Sequence, residues 1–219
     1  VHLGSLGAVI LYFRRDLLRL FLAWCRSFWL GRLSADAVLA WQLVVSAVPA
    51  AVAGWVFADV IEQHMRTLMV VASATIFFGL LLGWADRNGS GDGALDSLGW
   101  RDVMLIGCSQ ALALVPGTSR SGITITTALT LGYSRESATR FSFLMAIPII
   151  AMSAMYKANS LVLDESVAWV PIATGVAVSA VSAFLSITLF LRVIQRLGMM
   201  PFVIYRLLLG LALFALALV

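Results

Sequence analysis

Gln110-Ala-Leu-Ala-Leu-Val-Pro-Gly-Thr-Ser-Arg-Ser-Gly-Ile-Thr-Ile-Thr-Thr127 is the stretch that decides how this chain is read. An apolar segment precedes its polar centre, from Val103 to Val115, and a second follows, from Ile123 to Leu131. As helices these arms reach roughly 20 Å and roughly 14 Å, against a hydrocarbon core about 30 Å thick. Neither arm spans a bilayer alone. The economical reading is a re-entrant helical hairpin that enters, turns at membrane depth and leaves on the side it came from. Irregular backbone at that depth must be buried in protein or line a wet cavity. An arginine there, Arg120, is costly and marks a candidate functional site.

Composition supports the membrane setting. The chain has 219 residues, 61% of them hydrophobic and 12% charged, where an ordinary soluble domain is about half apolar. Its basic balance, 15 Lys and Arg against 11 Asp and Glu, comes from arginines that flank apolar spans. Anionic headgroups suit that pattern, and nucleic acid does not, because there is no basic run or aromatic-basic face. Cys25 and Cys108 lack metal or redox spacing and read as packing residues. The expectation is an all-α, polytopic integral membrane protein.

Around the hairpin, 1–13 reads as the end of a helix, the opening Val1 suggesting that sequence precedes it. An interfacial segment follows over 16–30 and spans over 37–57 and 67–84. A polar loop is expected over 59–66 and an exposed one over 86–100. Further spans are expected over 138–156, 167–191 and 203–219, with Gly132 closing the hairpin's second arm. Charge tests this topology. With the central segment re-entrant, one side collects Arg14, Arg15, Arg19, Arg26, Arg32, Arg87, Arg101, Arg135, Arg140, Arg192, Arg196 and Arg206, and the other only Arg66 and Lys157. A single kinked span over 103–131 would change the tally from twelve against two to eight against six. The positive-inside rule favours the hairpin and makes the arginine-rich side cytoplasmic.

The turn Pro116-Gly-Thr-Ser-Arg-Ser-Gly122 holds the chemistry. Gly117 and Gly122 allow close approach of backbone to a ligand. The second arm starts just beyond, so unpaired N–H groups of a half-helix point into the turn, an arrangement that binds anions. Arg120 adds a planar fork matched to phosphate oxygens. Thr118, Ser119 and Ser121 add hydroxyls that donate to phosphate or, in one case, attack it. The pattern is a phosphate or pyrophosphate cradle, distinct from a P-loop because no Gly-Lys-Ser/Thr follows. A structural alternative stands beside it: hydroxyls commonly satisfy backbone inside membrane helices, and Arg120 as a structural ion-pair partner is the matching reading. Gln110 reads as a second ligand to phosphate or as a link between helices. Thr124, Thr126, Thr127, Met145 and Met152 read as packing, His64 as solvated, and Phe202, Tyr205 and Arg206 as an interfacial anchor.

These residues resemble a known family. Gly107-Cys-Ser-Gln-Ala-Leu-Ala-Leu-Val-Pro-Gly-Thr-Ser-Arg-Ser-Gly-Ile-Thr124 is similar to the second signature of the bacterial undecaprenyl-pyrophosphate phosphatases of the bacitracin-resistance type. Ser134-Arg-Glu-Ser-Ala-Thr-Arg-Phe-Ser-Phe-Leu-Met-Ala-Ile-Pro148, Pro201-Phe-Val-Ile-Tyr-Arg-Leu207 and Leu3-Gly-Ser-Leu-Gly-Ala-Val-Ile10 extend the likeness over essentially the whole chain. The resemblance implies inverted repeats, each with a re-entrant hairpin. Residues 1–84 would be the remainder of repeat one, 85–102 a loop, and 103–219 repeat two with its hairpin at 103–133, all in one membrane domain. It implies hydrolysis of a polyprenyl pyrophosphate lipid in the bacterial plasma membrane, recycling the carrier for cell-wall synthesis and conferring bacitracin resistance. It also implies a divalent cation, Mg²⁺ or Ca²⁺. By the motif match, Arg120 and Ser119 act on the phosphoryl group, with Thr118, Ser121, Gly122 and Gln110 binding phosphate.

One departure matters. The family's first signature, Glu-x-x-x-Glu-x-x-Pro-x-Ser-Ser-x-x-His, has no counterpart in this sequence. The phosphate clamp is therefore expected here without its acid-base half, and no metal ligands are identifiable. Glu62, Glu136, Asp164 and Glu165 are expected in loops or at helix ends. A lipid transporter or flippase is the alternative in a different class, since inverted repeats and broken helices are transporter architecture. An inactive truncated paralogue is the other.

Overall fold

The computed structural model describes residues 2–30, 33–89, 91–162 and 169–218. Among these the chain is helical: α1 (His2–Tyr12), α2 (Arg14–Leu30), α3 (Ala35–Val56), α4 (Ala58–His64), α5 (Leu68–Asn88), α6 (Trp100–Ala111), α7 (Arg120–Thr130), α8 (Arg135–Val162), α9 (Trp169–Leu197) and α10 (Met200–Ala217). Four helices among the described residues, α3, α5, α9 and α10, are long and apolar enough to cross a membrane. The span expected over 138–156 falls inside α8, a continuous helix. The hairpin arms are α6 and α7, of 12 and 11 residues, each too short to cross. Val178, Val181, Leu185 and Leu189 of α9 and Leu208 and Leu211 of α10 stand exposed. Such faces are unfavourable in water and neutral against lipid.

The structure departs from the sequence reading at several places. The polar loop expected over 59–66 is mostly α4. Its Ala58, Glu62 and Gln63 are good helix formers, and Phe57 continues the preceding hydrogen-bond ladder through its carbonyl to Ile61 N–H at 3.0 Å. The loop expected over 86–100 is shorter, because α5 runs on to Asn88 with Asp86 only 3% exposed. Met152 and Cys108 are exposed, so neither packs as expected, whereas Met145 is fully buried. Asp164 and Glu165 lie outside the described residues, as do the side chains of Glu62 and Lys157.

The chain forms two compact units. One comprises Val1–Val44 with Phe143–Arg192, and the other Val45–Ser142 with Val193–Val219. In the first, aromatic rings do much of the packing: Trp24 meets Phe28 at 5.0 Å and Trp41 at 5.6 Å, and Phe143 meets Phe190 at 5.6 Å. The second unit holds the hairpin. Its frame is α5 against α10, brought close by glycine. A Cβ on Gly83 would stand 3.1 Å from Val203, and one on Gly79 would stand 3.2 Å from the Cβ of Arg206. Gly79 and Gly83 share one helix face at the four-residue spacing that lets membrane helices approach closely.

At one end of this unit Asp86 holds three segments together. Its Oδ1 accepts from Arg135 Nε at 2.6 Å, and its Oδ2 accepts from the Met199 N–H at 3.2 Å. The end of α5 is thereby fixed to the start of α8 and to the α9–α10 turn. Nearby, the Gly93 N–H donates to Gly132 O and the Ser134 N–H donates to Gly93 O, tying the loop after α5 to the loop after α7. The hairpin exits through a Schellman end: Tyr133 N–H donates to Ala128 O and Gly132 N–H to Leu129 O, with Gly132 at φ 89°.

Tyr133 is then held from α6. Its hydroxyl donates to Asp102 Oδ2 at 2.6 Å. Burial, this bond and the charge of Asp102 push the phenol up to about 12. A raised acid contributes stability that is whole below the unfolded value near 10 and is lost as pH rises through the folded value. Tyr133→Phe is expected to cost about 1 kcal/mol at neutral pH. Its deficit against the parent should narrow between pH 10 and 12 in thermal-stability scans. A deficit that stays constant across that window would show that the hydroxyl is not the group responsible.

Candidate functional site

The site grows from how α6 ends. After Ala111 the helix tightens into one 3-10 turn over Leu112–Leu114, and Val115 is extended. Pro116 has no N–H to continue the ladder and biases the preceding residue to extended backbone, which is the conformation found. Gly117 then takes φ 94°. No other residue fits there, since a Cβ would lie 2.3 Å from the Val71 carbonyl oxygen and 2.9 Å from Thr75 Oγ1.

Ser119 is the cap of α7. Its Oγ accepts from the Gly122 N–H at 3.2 Å, and its carbonyl accepts from Ile123 N–H at 3.0 Å. Its backbone lies at φ 68°, ψ 113°. Among the described residues it is the only non-glycine with positive φ. Such a conformation costs about 1–3 kcal/mol and persists only where its surroundings impose it, which is typical of functional sites. Ser119 is nonetheless exposed.

The sequence-expected residues therefore gather unevenly. Ser119, Arg120, Ser121 and Gly122 form the cap and first turn of α7, where the helix carries about half a positive charge. Arg120, Ser121 and Gly122 are part-exposed. Thr118 lies beneath them, fully buried, with its hydroxyl unpartnered among the described residues. Gln110 sits in the last turn of α6, 2% exposed, with both amide atoms likewise unpartnered. Buried polar groups are normally bonded. Two such side chains in one hairpin mark unused hydrogen-bonding capacity. Thr124 is occupied instead, bonded to Ser142 at 2.7 Å, in line with packing.

Two further residues were not visible as site residues in the sequence. Arg206 of α10, expected as an interfacial anchor, is 8% exposed and donates from Nη2 to Gly117 O at 2.7 Å. That expectation is corrected: the guanidinium lies against the hairpin turn. Thr75 of α5 lies on the same carbonyl at 3.3 Å. A cation only a few residues into an apolar helix was the available signal for Arg206, and it fits anchor and site equally well. Nothing local marks Thr75.

The geometry is thus a strained, arginine-bearing helix N-terminus at the bottom of a hairpin. The family described as "Bacitracin resistance protein BacA" matches residues 1–212. The chain belongs to the BacA family. A relative from Saccharophagus degradans, named undecaprenyl-diphosphatase, is 49% identical over 99% of this chain and 81% of its own length. One from Pseudoalteromonas translucida, undecaprenyl-diphosphatase 1, is 46% identical over 97% of this chain and 80% of its own. Undecaprenyl-diphosphatase 2 of Stutzerimonas stutzeri is 48% identical over 96% and 79%. The match over 1–212 takes in the hairpin, α5 and the part of α10 that carries Val203 and Arg206.

Proposed function

We infer that this chain is an undecaprenyl-diphosphatase, a membrane hydrolase that converts undecaprenyl pyrophosphate to undecaprenyl phosphate and inorganic phosphate. The observation that carries the reading is the Gly117–Gly122 turn. It brings Ser119, Arg120 and Ser121 to the cap and first turn of one helix N-terminus, in a chain whose relatives bear that name. Recycling the carrier lipid in this way serves cell-wall synthesis and confers bacitracin resistance.

In the reaction an oxygen nucleophile attacks the terminal phosphorus. The bond to the bridging oxygen breaks, and the leaving lipid phosphate takes the electron pair. Charge grows on the phosphoryl oxygens and the bridging oxygen. Arg120 neutralises it through two parallel N–H bonds, and the α7 N-terminus adds fixed dipoles at no cost in reorganisation. Ser119, Thr118 and Ser121 serve as donors to the phosphate oxygens, with Gln110 as a further ligand. The turn holds no carboxylate and no histidine, so the base that takes the nucleophile's proton lies elsewhere in the protein.

The family resemblance implies Mg²⁺ or Ca²⁺, hard cations that take six or more oxygen ligands, usually with carboxylates. Among the described residues no group of three His, Cys, Asp or Glu side chains is placed to hold one. Asp86 and Asp102 are engaged by Arg135 and Tyr133. These residues do not fit a cation, and Arg120 carries the neutralisation within this chain. The plasma membrane is the proposed location, with the arginine-rich side cytoplasmic by the charge count.

Phosphate release tests the reading. Full-length protein in detergent, given undecaprenyl pyrophosphate, is expected to liberate one phosphate per lipid. Transport of intact pyrophosphate lipid across vesicles without phosphate release would establish the transporter alternative instead.

A further inference from the structure

We propose that Arg206 is a positioning residue for this hydrolysis, holding the Gly117–Thr118 peptide so that the α7 N-terminus faces the pyrophosphate. The proposal rests on the hydrolase reading for its link to catalysis and on geometry alone for its link to the turn.

The Gly117–Thr118 peptide is pinned at both ends. Its carbonyl accepts from Arg206 Nη2 at 2.7 Å, and its N–H donates to Val115 O at 3.2 Å. This plane leads through Thr118 into Ser119, whose positive φ sets the direction of the first turn of α7. Freed at its carbonyl, the plane could rotate, and the strained Ser119 backbone would relax with it. The guanidinium is otherwise poorly accounted for. It is 8% exposed, Nη2 also donates to Thr75 O at 3.3 Å, and Nε has no partner among the described residues. No carboxylate among those residues pairs with it. Arg135, by contrast, has Asp86 at 2.6 Å.

A structural role alone explains this poorly. An unpaired buried charge costs several kcal/mol, and an apolar side chain usually fills such a place with no loss of stability. The surroundings are nonetheless shaped for arginine. Gly79 makes room for its stem, and Nη1 lies 3.2 Å from where a Cβ on Gly122 would stand. The cation therefore sits against the positive end of α7. The two repel each other, and an anion bound at the turn relieves both.

The test uses purified full-length protein and compares Arg206→Gln, Arg206→Lys and Thr75→Val with the parent in kcat, KM and melting temperature. A displacement of about 1 Å in a reacting geometry costs about a hundredfold in rate. Arg206→Gln is expected to lose about that factor in kcat while KM changes less than about threefold. Arg206→Lys keeps a donor for the Gly117 carbonyl and should recover most of the loss. Thr75→Val, which touches the same carbonyl and removes no charge, should lose about tenfold. A folded Arg206→Gln enzyme with parental kcat, or a loss confined to KM, overturns the proposal. If that variant does not fold, parental kcat in Thr75→Val does the same. Amide hydrogen exchange over 116–122 gives a readout free of substrate. Exchange there is expected to quicken in Arg206→Gln and Arg206→Lys in proportion to their kcat losses, and unchanged exchange counts against the proposal. A parent enzyme that released no phosphate would sink the hydrolase reading and leave the exchange result to judge the positioning.

Discussion

Arg120→Lys in the full-length protein is expected to lower kcat by about a hundredfold, a few kcal/mol in the barrier. The charge survives the change, but the fork does not. A point charge on a flexible stem cannot hold two phosphoryl oxygens in one plane. Arg120 occupies the first position of α7, directly after the strained Ser119, so its stem starts from a fixed backbone. Arg120→Ala should be worse still, and Arg87→Ala, at the exposed end of α5, should be nearly silent. If Arg120 served only an ion pair, Arg120→Ala would lower melting temperature and yield, and whatever folded would keep parental kcat. Measuring kcat beside melting temperature on the same preparations separates these outcomes. A folded Arg120→Ala enzyme with normal turnover would remove Arg120 from the chemistry.

The hairpin was legible in the sequence because two simple quantities bound it. Apolar arms over 103–115 and 123–131 fall short of a bilayer, and Pro116-Gly117 cannot continue a helix. The charge distribution then preferred a segment that returns to its own side. The closing cap was legible for the same local reason, Gly132 ending α7, whereas Ser119, read as a phosphate ligand, also begins α7 through its own Oγ. What lay beyond the sequence was contact between distant elements. Arg206 stands 89 residues from the carbonyl it holds, and Thr75 stands 42 from it. An arginine near the start of an apolar helix satisfies the sequence equally well as a headgroup anchor or as a buried donor, and only the Gly79 face of α5 decides between them. Asp86 was misread for a related reason. In a Gly-, Asp- and Ser-rich stretch it looks solvated, but its partners, Arg135 and the Met199 N–H, are supplied from far along the chain.

Gly117→Ala should be the most damaging single-methyl change in the hairpin, and Gly132→Ala shows why. Both glycines have positive φ, 94° and 89°. An L-residue in the left-handed region costs about 1–2 kcal/mol. At Gly132 that is the whole cost, because nothing lies within 4 Å of the added Cβ. At Gly117 the same methyl meets the Val71 carbonyl oxygen at 2.3 Å and Thr75 Oγ1 at 2.9 Å. The first is backbone in the interior of α5 and cannot rotate away. Overpacking of this kind adds about 1–3 kcal/mol. Relief comes only if the turn moves off α5, which also withdraws its carbonyl from Arg206. Gly132→Ala should therefore lower the melting temperature modestly and leave kcat near parental, whereas Gly117→Ala should lower it much further. Any Gly117→Ala protein that folds should have lost about a hundredfold or more in kcat, since the turn carrying Ser119 and Arg120 has shifted. Equal melting losses for the two variants would mean that the turn does not press against α5 as described.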